Sequence, residues 1–153
     1  MKRIITHFLA AVLLLTVIGT GKALAQTVSR TLEDGHIYRF VNARVGGRSL
    51  CADGTDDVHT KTNDLNDKAQ EWYVTKEGDY YVLRNVACGR YLKGAQSANK
   101  DWSLTEDCSE TENKFSLLTS NSTLNTLKTK ESDQYGHMHD DNNGDNGGCN
   151  VVG

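Results

Sequence analysis

The chain has 153 residues, with 17 Lys and Arg against 20 Asp and Glu, a formal net charge of −3 at pH 7 and 37% hydrophobic residues. A mild acidic excess leaves no broad basic face for neutralising phosphates, so nucleic acid is not expected as a partner. The length is that of one domain rather than several.

The first element in chain order is a targeting segment. Lys2 and Arg3 supply positive charge, residues 8–18 are apolar apart from Thr16, and Ala23-Leu24-Ala25 forms a small-x-small cleavage site before Gln26. This pattern predicts a Sec-type secretory signal peptide over residues 1–25. Its apolar core is too short for an ordinary membrane span, and no later segment is long and apolar enough for one, so membrane insertion is not expected. Setting aside the three bases of this segment leaves 14 bases against 20 acids in residues 26–153. The expected location is secreted or extracytoplasmic.

Residues 26–153 contain no proline and no long helical stripe. They contain short alternating runs instead: Tyr38, Phe40 and Asn42; Gln70, Trp72 and Val74; Tyr81 and Leu83; Phe115 and Leu117. Between these lie turn clusters such as "DGTDD", "KEGD" and "DDNNGDNGG". Alternation at this spacing predicts an all-β sandwich or barrel. Four cysteines, Cys51, Cys88, Cys108 and Cys149, fall in the same region. An even number in an oxidising compartment implies disulfides, with three connectivities open.

The runs repeat. "YRFVNARVGGRSL" resembles "YVLRNVACGRYL": Tyr38 and Tyr81, and Asn42 and Asn85, stand 43 residues apart, while Gly47 and Gly89, Arg48 and Arg90, and Leu50 and Leu92 stand 42 apart. "QEWYV" aligns with "NKFSL", with Gln70 to Asn113 and Trp72 to Phe115 again 43 apart. A third copy begins at "LNTLKTKESDQYGHMHDD", and by the same period the sequence ends inside it. The expectation is a third repeat that is incomplete, either in a fragment of a longer protein or closed differently. A unit of about forty residues cannot bury its own apolar face, so the copies must pack around a shared axis. Trp72 and Phe115 are then expected in equivalent buried positions.

The "GRSL" and "GRYL" runs with a later Gln-x-Trp resemble the ricin-type β-trefoil lectin domain over about residues 33–153. The resemblance implies a β-trefoil with pseudo-three-fold symmetry that binds glycans or polysaccharide. It also implies a Cys88–Cys108 disulfide, which by closing a loop of about twenty residues would contribute roughly 3 kcal/mol, and leaves Cys51 and Cys149 as a second possible pair. Only repeat one keeps a true Gln-x-Trp; repeat two has Asn113-x-Phe115.

In that family an aspartate after the early leucine strand accepts hydrogen bonds from sugar hydroxyls, a later aromatic stacks on the sugar, and a polar residue near the Gln-x-Trp assists. The resemblance therefore implies Asp53, His59 (in place of a ring) and Gln70 in repeat one. Repeat two offers Trp102 but has Lys93 and Gly94 where an acid is wanted, and repeat three offers Asp140 or Asp141. Asp53 equally suits a turn residue, Trp102 a core ring, and Gln70 a structural role. Asp141-x-Asn143-x-Asp145 has calcium-loop spacing, but its glycine falls late and Val152 stands where the closing acid belongs. No metal and no cofactor are therefore expected.

No nucleophile elbow or zincin motif is present, so no catalytic residue is assigned. The leading expectation is a secreted, non-catalytic carbohydrate-binding module, with the N-terminal part of a longer secreted protein as one form it can take. The alternatives are a protein-binding trefoil such as a protease inhibitor, or the accessory domain of an enzyme lying beyond residue 153. The sequence carries no signal of oligomeric state.

Overall fold

The structure is a computed structural model that describes residues 31–42, 47–52, 54, 56–95, 101–119, 125–130, 135–138 and 147–152. Eleven strands are found among them. Repeat one supplies β1 (Ile37–Tyr38), β2 (Arg48–Ala52), β3 (Val58–Thr62) and β4 (Trp72–Glu77). Repeat two supplies β5 (Tyr80–Asn85), β6 (Tyr91–Lys93), β7 (Ser103–Thr105) and β8 (Phe115–Thr119). Repeat three supplies β9 (Asn125–Thr129), β10 (Tyr135–Met138) and β11 (Gly147–Val152). No α-helix occurs among the described residues, so the all-β expectation holds.

All strand pairs are antiparallel, and the hydrogen-bonded path runs β1-β4-β5-β8-β9-β10-β11-β3-β2. The path returns to its start. The chain just after β1 pairs with β2 through the Val41–Ser49 bridge, with Leu50 N donating to Phe40 O at 2.9 Å and Asn42 N to Arg48 O at 2.8 Å. Among the described residues β1 itself pairs only with β4, so the circuit closes through the hairpins rather than between barrel strands. Of three hairpins, the first (β2–β3) and the third (β10–β11) lie on this circuit, and the second (β6–β7) branches from it at β5. The first meets the second at the Asp57–Ser103 bridge and the third at the Gly147–Thr60 and Gly148–His59 pairs.

The period seen in the sequence recurs as repeated bonds. Asn85 N donates to Arg90 O at 2.8 Å, the counterpart of the Asn42–Arg48 bond. Asp64 Oδ1 accepts from Asn66 N and Asp107 Oδ1 from Ser109 N, both at 2.9 Å, so the same side-chain turn precedes each later strand. Such bonds let a carboxylate replace a backbone turn. The amide and hydroxyl of Ser109 hold the exposed Asp107 carboxyl below its ordinary range. Gly47 and Gly89, 42 apart, both take positive φ (76° and 74°), which an L side chain adopts only with strain.

Each turn leads through one 3-10 turn, Lys68–Gln70 or Thr111–Asn113, into a strand that begins two residues on with an aromatic. Trp72 and Phe115 are both fully buried, and Leu50, Leu83, Leu92 and Val74 close around them. The two repeats satisfy the same inner carbonyl differently. Trp72 Nε1 donates to Leu50 O at 3.1 Å. Phe115 has no donor, and Asn113 Nδ2 donates instead to Leu92 O at 2.9 Å.

Trp102, also in this core, packs on Phe115 with ring centroids 5.1 Å apart, and its Nε1 has no hydrogen-bond partner. Two tryptophans in one core thus differ in whether the indole N–H is satisfied. Losing a buried bond costs about 1–3 kcal/mol, whereas removing an unsatisfied donor relieves a cost of similar size. Trp72→Phe is expected to destabilise by about 2–4 kcal/mol and Trp102→Phe by less than about 2 kcal/mol. Urea unfolding of the two variants, followed side by side, checks the order.

Gly94 lies where an acid was sought in repeat two. A Cβ there would overlap Thr129 Cγ2 and stand 3.3 Å from Phe115 Cε1, and Gly94 N donates to Glu112 O at 2.9 Å. Close approach of β9 and β8 therefore excludes any side chain. Gly94→Ala is expected to lower stability by about 1–3 kcal/mol through overpacking, read as a fall in the urea midpoint at unchanged m-value.

The Cys88–Cys108 bond implied by the resemblance is not formed: Cys88 and Cys108 are free thiols. Each is held by its own surroundings. Cys88 N donates to Asn85 Oδ1 at 3.2 Å in the β5–β6 turn, Cys108 lies within the Asp107 turn, and Cys51 is wholly buried in β2. The side chain of Cys149 lies outside the described residues.

Candidate functional site

A loop surface held by buried side chains belongs to repeat one, between β3 and the Lys68–Gln70 turn. The segment "NDLND" (63–67) carries short polar residues, which favour turns over strands. Two buried side chains fix it from below. Gln70 Nε2 donates to Thr62 O at 2.8 Å, and Gln70 Oε1 accepts from Asp64 N at 3.0 Å. The Arg39 guanidinium, only 8% exposed, donates to the carbonyls of Asp64, Leu65 and Asp67 and to Gln70 Oε1. Its charge is met by Glu71 Oε1 at 2.9 Å. A planar five-donor fork suits three carbonyls and a carboxylate in a way a lysine ammonium does not.

This geometry decides what each sequence candidate can offer. Gln70 is 1% exposed and both ends of its amide are engaged, so it shapes the loop from within and presents nothing to solvent. Trp102 is 2% exposed and its ring packs on Phe115, so it presents no stacking face to a sugar. Asn63, at the loop's start, accepts the Ser49 hydroxyl at 2.8 Å through Oδ1, whereas Asn66 is exposed. His59 is half-buried on β3, opposite Cys51 of β2 and Gly148 of β11, where hairpins one and three meet. Asp53, Asp140 and Asp141 lie outside the described residues; Asp53 directly follows Ala52, the last residue of β2.

In repeat two, Lys93 is ion-paired with Glu110 at 2.7 Å, so a neutralised cation stands on that hairpin. Arg90, in the β5–β6 turn, binds Asp56 and Glu106, the latter at 3.2 Å, joining hairpin one to hairpin two; hydrogen bonding to Asp56 raises its pKa above the ordinary value. Among the described residues no three His, Cys, Asp or Glu side chains converge as metal ligands, and Asp141 to Asp145 lie outside them. No helix among the described residues is long and apolar enough to cross a membrane.

Arg39 was not singled out by the sequence. Its partners are mostly backbone carbonyls of a loop that is distant in the chain, and no local motif marks such a contact.

A closed antiparallel circuit carrying three hairpins in pseudo-three-fold array is a β-trefoil. The sequence profile of the "Ricin-type beta-trefoil lectin domain-like" family matches residues 26–105, and the chain belongs to that family. No curated protein matches the sequence. Similar solved structures include the designed three-fold symmetric protein ThreeFoil, at 18% identity and TM-score 0.62 over 76% of this chain and 86% of that one. Another is the Polyporus squamosus lectin bound to the human-type influenza-binding epitope Neu5Acα2-6Galβ1-4GlcNAc, at 18% identity and TM-score 0.61 over 80% of this chain and 49% of that one. A third is the PSL1a–E64 complex, at 20% identity and TM-score 0.60 over 77% of this chain and 43% of that one. The chain thus spans less than half the length of the last two, and at these identities the likeness is one of fold.

If Arg39 carries the loop as its bonds indicate, Arg39→Met leaves three carbonyls, Gln70 Oε1 and the Glu71 carboxylate without their donor. Loss of about 3–5 kcal/mol is expected for breaking a buried ion pair from one side. Amide hydrogen exchange should show lost protection at Asp64, the loop amide bonded to Gln70 Oε1, in excess of that at Val74 in the barrel.

Proposed function

We propose that the chain is a secreted, non-catalytic carbohydrate-binding module, acting as the glycan-holding part of a longer protein. The observation that carries this is the family match over residues 26–105, which spans the whole of repeat one and three of the four strands of repeat two. The solved lectin of similar fold that holds a sialylated glycan supports the same reading. Secretion is supported by the signal-peptide pattern of residues 1–25, immediately upstream of the matched region.

Within the chain, repeat one is the favoured site. Asp53 supplies the acceptor, the loop at 63–67 supplies a wall already held in one shape, and the exposed Asn66 lies on that wall. A wall fixed before binding spares the ordering cost that a mobile loop would add. Repeat two lacks an equivalent: Gly94 admits no side chain, Lys93 is neutralised by Glu110, and Trp102 is in the core. Repeat three would act through Asp140 or Asp141.

A single shallow polar site binds weakly, with Kd on the order of 0.1–1 mM. Asp53→Ala is expected to remove about 1.5–3 kcal/mol of that binding while leaving the urea midpoint unchanged. Calorimetric titration of neutral oligosaccharides into both proteins is the test. Equal binding by the two would place the site outside repeat one, and no binding to any glycan would favour a protein partner.

A further inference from the structure

A row of side chains crosses the outside of the barrel at right angles to its strands. The register places Ile37 opposite Tyr73, Tyr73 opposite Arg84, Arg84 opposite Tyr91 and Tyr91 opposite Thr105. Directly paired residues of antiparallel strands project from the same face, so these five belong to one surface spanning β1, β4, β5, β6 and β7. The inward partners of the same ladder, Trp72 and Asn85, are buried. Outward, Ile37 is 54% and Tyr73 41% exposed, Arg84 is exposed, and Tyr91 is half-buried.

Arg84 is the centre of this row and is held in place. Its Nε donates to Gly89 O at 2.7 Å, and its guanidinium carbon lies 5.8 Å from the centroid of the Tyr91 ring. Gly89 makes room for it: a Cβ there would stand 3.1 Å from Arg84 Nη2. No carboxylate among the described residues lies within ion-pair distance of Arg84, whereas Arg39 has one and Arg90 two. In a chain with an acidic excess, a positioned arginine between two tyrosines and without an acid of its own is a site of unmatched charge.

We propose that Tyr73, Arg84 and Tyr91 form a second glycan site, apart from Asp53, that takes a carboxylate-bearing polysaccharide. The proposal rests on the reading of the chain as a glycan-binding module. Two strand spacings, about 9.5 Å, separate the Tyr73 and Tyr91 positions. That suits an extended chain whose alternate pyranose rings lie on the two tyrosines while the carboxylate of the sugar between them meets the guanidinium. Aromatic faces supply area for the C–H face of a sugar, and the arginine fork recognises a carboxylate bidentately. An acidic peptide would meet the charge but has no repeating flat face to set on two rings.

The test titrates short galacturonate oligomers, their methyl esters and poly-glutamate into the full chain and into Tyr73→Ser, Arg84→Gln, Arg84→Lys and Asp53→Ala variants. Urea midpoints serve as a check on folding. Galacturonate is expected to bind more tightly than its methyl ester. Binding should weaken roughly tenfold in Tyr73→Ser and in Arg84→Gln, and less in Arg84→Lys, which keeps charge but not the fork. Asp53→Ala should leave galacturonate binding unchanged. The exposed Tyr73→Ser change keeps the test valid should Arg84 variants unfold. Equal binding of galacturonate and ester, poly-glutamate binding as well as galacturonate, or no effect of Tyr73→Ser overturns the second site while leaving glycan binding at Asp53 intact. Absence of binding to any glycan, neutral or acidic, overturns both.

Discussion

The structure depends on one requirement: in repeats one and two, the carbonyl of the leucine in the middle of the early strand must find a donor inside the core. At Leu50 the donor is the Trp72 indole, and at Leu92 it is the Asn113 amide. A buried carbonyl without a partner costs more than a typical hydrogen bond contributes. The position before the aromatic and the aromatic itself are therefore chosen together. With tryptophan in place, Gln70 is free to reach away from the core and bind Thr62 O and Asp64 N. With phenylalanine in place, the shorter Asn113 must turn inward, and its Oδ1 is left without a partner. The departure of repeat two from Gln-x-Trp is thus a coupled exchange that keeps the barrel while surrendering the hold on a loop.

That exchange explains why the repeats differ outside the core. In repeat one, Gln70 and Arg39 together tie down residues 63–67 and leave a fixed wall beside the β2–β3 hairpin. In repeat two, the Asp107 turn has no counterpart of that clamp among the described residues; Lys93 and Glu110 bridge the surface instead. An ion pair with both members partly exposed adds little to stability, so the wall there is held chiefly by its own local turn. Pseudo-symmetry of backbone and asymmetry of site have the same origin, in which residue supplies one donor.

Much of the fold was legible because it is written in spacing. The 43-residue step between Tyr38 and Tyr81, or Trp72 and Phe115, survives in the strand register, and alternation correctly separates Trp72 and Val74 from Tyr73. The site was less legible, for three physical reasons. An indole such as Trp102 serves equally as a stacking platform or a core ring, and only packing against Phe115 decides. A missing acid at Gly94 looks like a lost ligand until the approach of Thr129 shows that no side chain fits. Arg39 acts through carbonyls, which every residue has, so no residue type at 64, 65 or 67 announces it. The cysteines fall under the same difficulty: a family spacing suggests Cys88 with Cys108, but free thiols in separately fixed turns are what the structure holds.

Charge follows the same division between inner and outer use. An arginine near a barrel mouth must be neutralised where it is desolvated, and Arg39 is, by Glu71 and by carbonyl dipoles. At the junction of two hairpins a charge is useful as a clasp, and Arg90 joins Asp56 to Glu106 across it. Arg84 meets neither condition. It is exposed, so desolvation does not demand an acid, and its neighbours on the row are rings rather than a second hairpin. Its polar bond to Gly89 O runs along the hairpin and orders the side chain without neutralising it. Ordering a long side chain has an entropic cost that no carboxylate here offsets. What that order achieves is a cation at a fixed height between two tyrosines, and the physical use of such an arrangement lies outside the chain.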